Sequence, residues 1–152
     1  MSSALVLGKE YGLPPDSGLG KSANDTASQK RKRTVLILDD EPLIADTLAE
    51  ILNDSGDFEA VAVYDGASAL QHVRSGAPDI LITDVVMPEM NGIEVAKAVR
   101  SIRPKTRVVL LSGQAQTRDL VEEARHEGHS FELWAKPIHP DDLLERLKQK
   151  QV

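Results

Sequence analysis

From Thr34 onward, short solid apolar runs alternate with stretches whose apolar residues recur every three or four positions. Val35-Leu36-Ile37-Leu38, Phe58 to Tyr64, Ile80-Leu81-Ile82-Thr83 and Val108-Val109-Leu110-Leu111 are runs of the first kind, with Phe131 to Ala135 a less pure fifth. Runs this short, rich in β-branched residues, predict strands buried on both sides. Ile44, Leu48, Ile51 and Leu52 keep the spacing of one helix face, with Pro42 placed for a first turn and Gly56 just past the end. Asp65 predicts the cap of a second helix reaching Ser75, followed by Gly76. Ile93, Ala96, Ala98 and Val99 mark a third, closed before Pro104. Leu120, Val121 and Ala124 mark a fourth ending at Gly128, and Pro140 opens a fifth with Leu143, Leu144 and Leu147. Five strand–helix units predict an α/β fold: a doubly wound, five-stranded parallel sheet with helices on both faces and right-handed crossovers.

Residues 1–33 break this pattern. They are rich in Gly, Pro, Ser, Asp and Asn and predict a flexible N-terminal tail, leaving 34–152 as one domain. Charge divides at the same place: the tail carries a balance of +3 and the domain −9, within a total of −6. An acidic domain is a poor nucleic-acid binder, because that affinity rests on neutralising phosphates. The run Lys30-Arg31-Lys32-Arg33 reads as a solvated entry segment. The chain has no cysteine, which excludes disulfides and thiolate zinc sites. It shows neither a secretory signal nor an apolar run near the ~20 residues of a membrane helix, so the expected location is cytoplasmic. His126 and His129 fit a charged helix C-terminus better than a metal site, and His72 and His139 read as structural or solvated. No glycine-rich phosphate cradle appears.

In an open parallel sheet, ligands bind beyond the carboxyl ends of the strands. Asp39 and Asp40 follow the first predicted strand, Asp84 ends the third, Ser112 ends the fourth and Lys136 follows the fifth. Each alone has a plain reading: Asp40 as a helix cap, Asp84 as a turn residue, Ser112 and Lys136 as solvated side chains. Together they converge on one edge. Carboxylates ~4 Å apart repel by about 4 kcal/mol at an effective dielectric of ~20. A divalent cation relieves that repulsion, and oxygen-only donors favour Mg²⁺ or Mn²⁺. A carboxylate nucleophile, a metal, a lysine and a hydroxyl donor form a set suited to phosphoryl transfer onto an aspartate.

Four motifs carry a family resemblance: Leu38-Asp39-Asp40-Glu41-Pro42, Asp84 through Met87-Pro88 to Gly92, Leu111-Ser112-Gly113 and Ala135-Lys136-Pro137. Over about residues 34 to 150 the chain resembles the receiver domain of two-component response regulators. The resemblance implies the flavodoxin-like strand order 2-1-3-4-5. It implies Asp84 as phosphoacceptor, Asp40 as the main metal-binding acid with Asp39 beside it, and the backbone carbonyl of Val86 as a further ligand alongside Asp84. Ser112 matches the switch hydroxyl and Lys136 the family's lysine, with a cis bond to Pro137. Gly92 matches a loop glycine that needs positive φ or close approach. Two positions depart from the pattern. Leu133 stands where the family usually has Tyr or Phe, which puts an aromatic-flip readout in doubt. Val86, two residues after the acceptor, brings no polar side chain to assist water, so slow loss of the phosphoryl group is expected.

The implied partners are a histidine kinase or histidine phosphotransfer protein and a downstream protein meeting the face of helix 4, strand 5 and helix 5. That face also allows a homodimer. With the chain ending at Val152, the expectation is a stand-alone receiver without a DNA-binding domain, a self-catalysed phosphoacceptor and switch rather than an enzyme. The alternative is a phosphorylation-independent interaction module that kept the fold. An aspartyl phosphohydrolase ranks third, because Val86 occupies the place of its general acid.

Overall fold

The computed structural model describes residues 31–113 and 117–149. The tail expected at the N-terminus lies, up to residue 30, outside them. Five strands alternate with five helices: β1 (Arg33–Leu38), α1 (Pro42–Ser55), β2 (Phe58–Val63), α2 (Gly66–Ser75), β3 (Ile80–Asp84), α3 (Gly92–Ile102), β4 (Arg107–Ser112), α4 (Thr117–His126), β5 (Glu132–Ala135) and α5 (Pro140–Lys148). All neighbouring strands pair in parallel, in the order β2-β1-β3-β4-β5. The expected 2-1-3-4-5 sheet is therefore observed. Among the described residues, no helix is long and apolar enough to cross a membrane.

Side chains alternate across a strand, and that period sorts the core into two layers. Leu36, Leu38, Leu81, Val108 and Leu110 pack against α2, α3 and α4 through Ala69, Val73, Val95, Val99 and Val121. Val35, Ile37, Ile80, Ile82, Val109 and Leu111 face α1 and α5 through Leu48, Leu52, Leu143 and Leu147. Caps set the helix starts. Asp65 accepts from the Ser68 N–H at 2.7 Å and Asn91 from the Glu94 N–H at 2.9 Å. Pro42 opens α1, and Gly56 closes it with φ 82°.

Three expectations need correction. Burial on both sides holds for β1, β3 and β4, but β2 and β5 are edge strands, where Val61 and Leu133 are 45% and 36% exposed. On β2, the Asn53 side chain accepts from the Ala60 N–H at 2.8 Å and donates to its carbonyl at 3.1 Å, occupying backbone groups the edge would leave open. In α3 Val95 is fully buried beside Ala96 and Val99, while Ala98 is only half-buried. Gly76 ends α2 in extended backbone (φ −158°), so any residue could take its conformation. A buried cation stands just before the fourth apolar run. Arg107, at the start of β4, pairs with both Glu132 oxygens (2.7 and 2.9 Å) and donates to the carbonyls of Arg146, Leu147 and Gln149. It ties the end of α5 to the sheet, helped by Arg33, which donates to the Leu147 carbonyl.

Candidate functional site

The carboxyl ends of β1, β3, β4 and β5 meet at one sheet edge, and the ladder continues just past them. The Val85 N–H donates to the Leu111 carbonyl at 3.1 Å, and the Lys136 N–H to the Ser112 carbonyl at 2.8 Å. These bonds deliver Asp84, Ser112 and Lys136 to the same place from three strands. The Lys136–Pro137 peptide is cis, as expected.

Lys136 stands between two carboxylates. Its Nζ donates to Asp39 Oδ2 at 3.2 Å and lies 3.3 Å from Asp84 Oδ2. Asp39 is 1% exposed, and its other oxygen accepts the Glu41 N–H at 2.9 Å, at the entry to α1. Asp40 completes the group: one oxygen from each of Asp39, Asp40 and Asp84 lies within 4.8 Å of the others. Asp40 does not cap α1; Glu41 holds the cap position, and its side chain makes no capping bond. Asp40, Glu41, Asp84, Val86, Gly113 and Lys136 line a cavity of about 380 Å³. A larger cavity of about 570 Å³ shares Asp40 but includes neither Asp84 nor Lys136.

Three acids around one lysine leave an excess of negative charge. Burial pushes the Asp84 carboxyl above its ordinary value, and the Asp39 charge adds to this against the opposing pull of Lys136. Burial alone would lower the Lys136 ammonium, but Asp84 and Asp39 outweigh it and hold the pKa above its ordinary value. The lysine therefore stays charged at neutral pH. Carboxylate oxygens with no His or Cys among them suit a hard divalent cation, so the donor set fits Mg²⁺ or Mn²⁺.

Gly92 is needed for close approach, not for its φ. A Cβ there would lie 2.0 Å from the Asp84 carbonyl oxygen and 3.0 Å from Thr83 Oγ1. Its N–H donates to the Val85 carbonyl at 2.8 Å, pinning the loop after β3 against the end of the strand.

Ser112 ends β4 at the same edge but does not line the cavity shared by Asp40, Asp84 and Lys136. Its hydroxyl donates to Oγ1 of Thr117, a buried residue at the start of α4. Thr117 escaped the sequence reading, because a threonine opening a helix is common and its partner appears only once the chain folds. Ser112, Gly113, Arg118, Leu133, Trp134, Ala135 and Lys136 border a separate cavity of about 390 Å³. The histidines stay outside the site. His129 stacks on Phe131 (centroids 5.9 Å apart), and His139 caps α5 by accepting the Asp141 N–H.

Known proteins resemble this chain. The response regulator receiver domain family matches residues 35–148. DNA-binding response regulator MtrA of Mycolicibacterium smegmatis is 29% identical over 119 residues, covering 78% of this chain and 50% of MtrA. Probable transcriptional regulatory protein TcrX of Mycobacterium tuberculosis is 30% identical over 115 residues, covering 76% of this chain and 48% of TcrX. The chain thus spans about half the length of these relatives. Among solved structures, chemotaxis response regulator CheY4 of Vibrio cholerae aligns with TM-score 0.68 and 30% identity, covering 78% of this chain and 98% of that one. A CheY-like receiver domain from Methanospirillum hungatei aligns with TM-score 0.70 at 24% identity over 78% of this chain and 92% of that one, a likeness of fold.

Proposed function

The chain belongs to the response regulator receiver domain family of two-component signalling, and from that premise we propose that it accepts a phosphoryl group on Asp84 and uses it to switch protein contacts. The observation that carries this reading is Lys136 held between Asp39 and Asp84 at the open sheet edge. The donor is a phosphohistidine on a histidine kinase or histidine phosphotransfer protein. An Asp84 carboxylate oxygen attacks phosphorus in line. The new O–P bond forms as the N–P bond breaks, and the imidazole leaves with the electron pair. Lys136 neutralises charge on the transferring group, and Ser112 donates to one of its oxygens. Asp39, Asp40, Asp84 and the Val86 carbonyl would hold Mg²⁺, or Mn²⁺. When bound, the ion offsets the carboxylate repulsion and stabilises phosphoryl charge.

Phosphorylation then shifts the population between two arrangements of the α4–β5–α5 face, because only one of them gains contacts to the phosphoryl group. Leu133, exposed on β5, lies on that face, which meets a downstream protein or a second copy. Water releases the phosphoryl group slowly, since Val86 offers no polar side chain to orient it. The domain is self-modifying rather than a turnover enzyme, and its place is the cytoplasm beside its donor. Both architectures occur among relatives: MtrA is twice the matched length, whereas CheY4 is matched almost completely. The intact mass of the protein isolated from its own cells distinguishes the two. Transfer itself is tested by incubating the domain with a radiolabelled phosphohistidine protein, with and without chelator. Label should move to the domain only when divalent metal is free. Absence of transfer from several such donors, with the domain folded and metal-loaded, would overturn the reading.

A further inference from the structure

A serine hydroxyl has one proton to donate. In this structure Ser112 gives it to Thr117 Oγ1, inside the protein. The role proposed above needs the same proton on a phosphoryl oxygen. The two acceptors therefore compete. We propose that Thr117 is a positioning residue: it holds Ser112 in the unswitched state, and phosphorylation must break the Ser112–Thr117 bond. This inference rests on the phosphoacceptor reading of Asp84 and adds a residue to it.

Three observations support the assignment. Thr117 is 1% exposed, so the bond is shielded from water, which would otherwise exchange freely with either hydroxyl. Ser112 ends β4 one residue past Leu111, the register partner of Asp84, so its hydroxyl is close to the reacting edge in sequence and in space. Thr117 is the first residue of α4, so the bond joins the strand that reaches the acceptor to the helix that begins the output face. The position three before the lysine is Leu133, an aliphatic side chain with no hydroxyl to couple to Ser112. The Ser112–Thr117 pair offers a polar connection from the site to α4 that does not pass through that position.

The direction of the effect follows from the competition. Removing the Thr117 oxygen takes a hydrogen bond from the unswitched state and nothing from the phosphoryl-bound state. A neutral buried hydrogen bond of this kind shifts an equilibrium by roughly 2- to 10-fold. Any ligand selecting the switched state gains the same factor in apparent affinity. A residue that merely stabilised the fold would give weaker binding when altered, not tighter.

Beryllofluoride, a stable mimic of an aspartate-bound phosphoryl group, is the probe. It would be titrated with Mg²⁺ into wild type, Thr117→Val and Thr117→Ser, with Trp134, the single tryptophan, as the fluorescent reporter and ¹⁹F NMR as a second signal. Thr117→Val keeps shape and loses the acceptor, so it should bind roughly 2- to 10-fold tighter than wild type. Thr117→Ser keeps the acceptor and should return to the wild-type value. Equal or weaker binding by a folded Thr117→Val overturns the proposal while leaving the phosphoacceptor reading intact. Failure of wild type to bind beryllofluoride at all, with Mg²⁺ binding shown separately, removes both. Should the valine variant not fold, wild type still decides: the Thr117 amide and methyl resonances must shift on beryllofluoride addition, and unmoved resonances sink the idea.

Discussion

Replacing Asp84 with Asn should make the metal-free protein more stable, although it removes the side chain on which the function centres. The magnitude follows from the geometry. Lys136 lies 3.3 Å from Asp84, an attraction of about 5 kcal/mol at an effective dielectric of ~20. Buried Asp39 has an oxygen within 4.8 Å, a repulsion of about 3.5 kcal/mol on the same scale, and exposed Asp40 adds a smaller, solvent-screened one. Burial of the carboxylate is the largest penalty, and with these repulsions it outweighs the attraction, as the raised Asp84 pKa records. With allowance for solvent reaching this half-buried group, the variant should gain about 1–2 kcal/mol at pH 7. For a domain of this size that is roughly 4–8 °C in Tm. The sign with pH is fixed by the raised Asp84 pKa. The penalty on the wild type is fully present above that raised value, falls as pH drops through it and vanishes below the ordinary aspartate value of 3.8. Urea denaturation in chelator at pH 7 and at acidic pH measures the gap. Saturating Mg²⁺ should then close or reverse it, since a ligand at 100 times its Kd adds about 2.7 kcal/mol to the protein that binds it. A variant less stable than wild type at pH 7 without metal, or a gap that does not shrink on acidification, would refute the electrostatic account of the site.

Other perturbations test neighbouring parts. Lys136→Met leaves Asp39 and Asp84 without their shared cation. It should cost about 2–3 kcal/mol in chelator, with part of the loss restored by Mg²⁺ in the same denaturation assay. Arg107→Ala breaks a buried, bidentate pair with Glu132 and frees the end of α5. A loss of about 3–5 kcal/mol is expected, and Arg107→Lys should recover little of it because lysine lacks the planar fork. Gly92→Ala places a Cβ 2.0 Å from the Asp84 carbonyl oxygen, so the loop after β3 must move. Mg²⁺ affinity, read by Trp134 fluorescence, should fall about tenfold or more while the far-ultraviolet spectrum stays helical and sheet-like.

The sheet was legible because β1, β3 and β4 are near-continuous apolar runs, and the site because each run ends on a polar residue that no helix or turn requires. Asp39, Asp84, Ser112 and Lys136 could be named before folding because all four fall at one sheet edge. What escaped has a common physical cause: it depends on which elements become neighbours. Val61 and Leu133 are exposed because β2 and β5 lie at the edges, and strand composition does not reveal position in the sheet. Val95 rather than Ala98 faces the core because the helix stripe is oriented by the sheet beneath it. Arg107 carried no signal in the sequence, since its carbonyl partners lie some forty residues away at the end of α5. Thr117 had no signal at all, for its partner is the hydroxyl at the end of β4. Gly92 was flagged for the right reason among two, and the geometry selects close approach.

The most direct test of the central claim is intact and peptide-level mass spectrometry after incubation with Mg²⁺ and a small acyl-phosphate donor, comparing wild type with Asp84→Asn. The account predicts one labile, hydroxylamine-sensitive phosphoryl group on wild type, mapped to Asp84, and none on the variant. An unlabelled wild type that demonstrably binds Mg²⁺, or a label that persists in the variant, would contradict it.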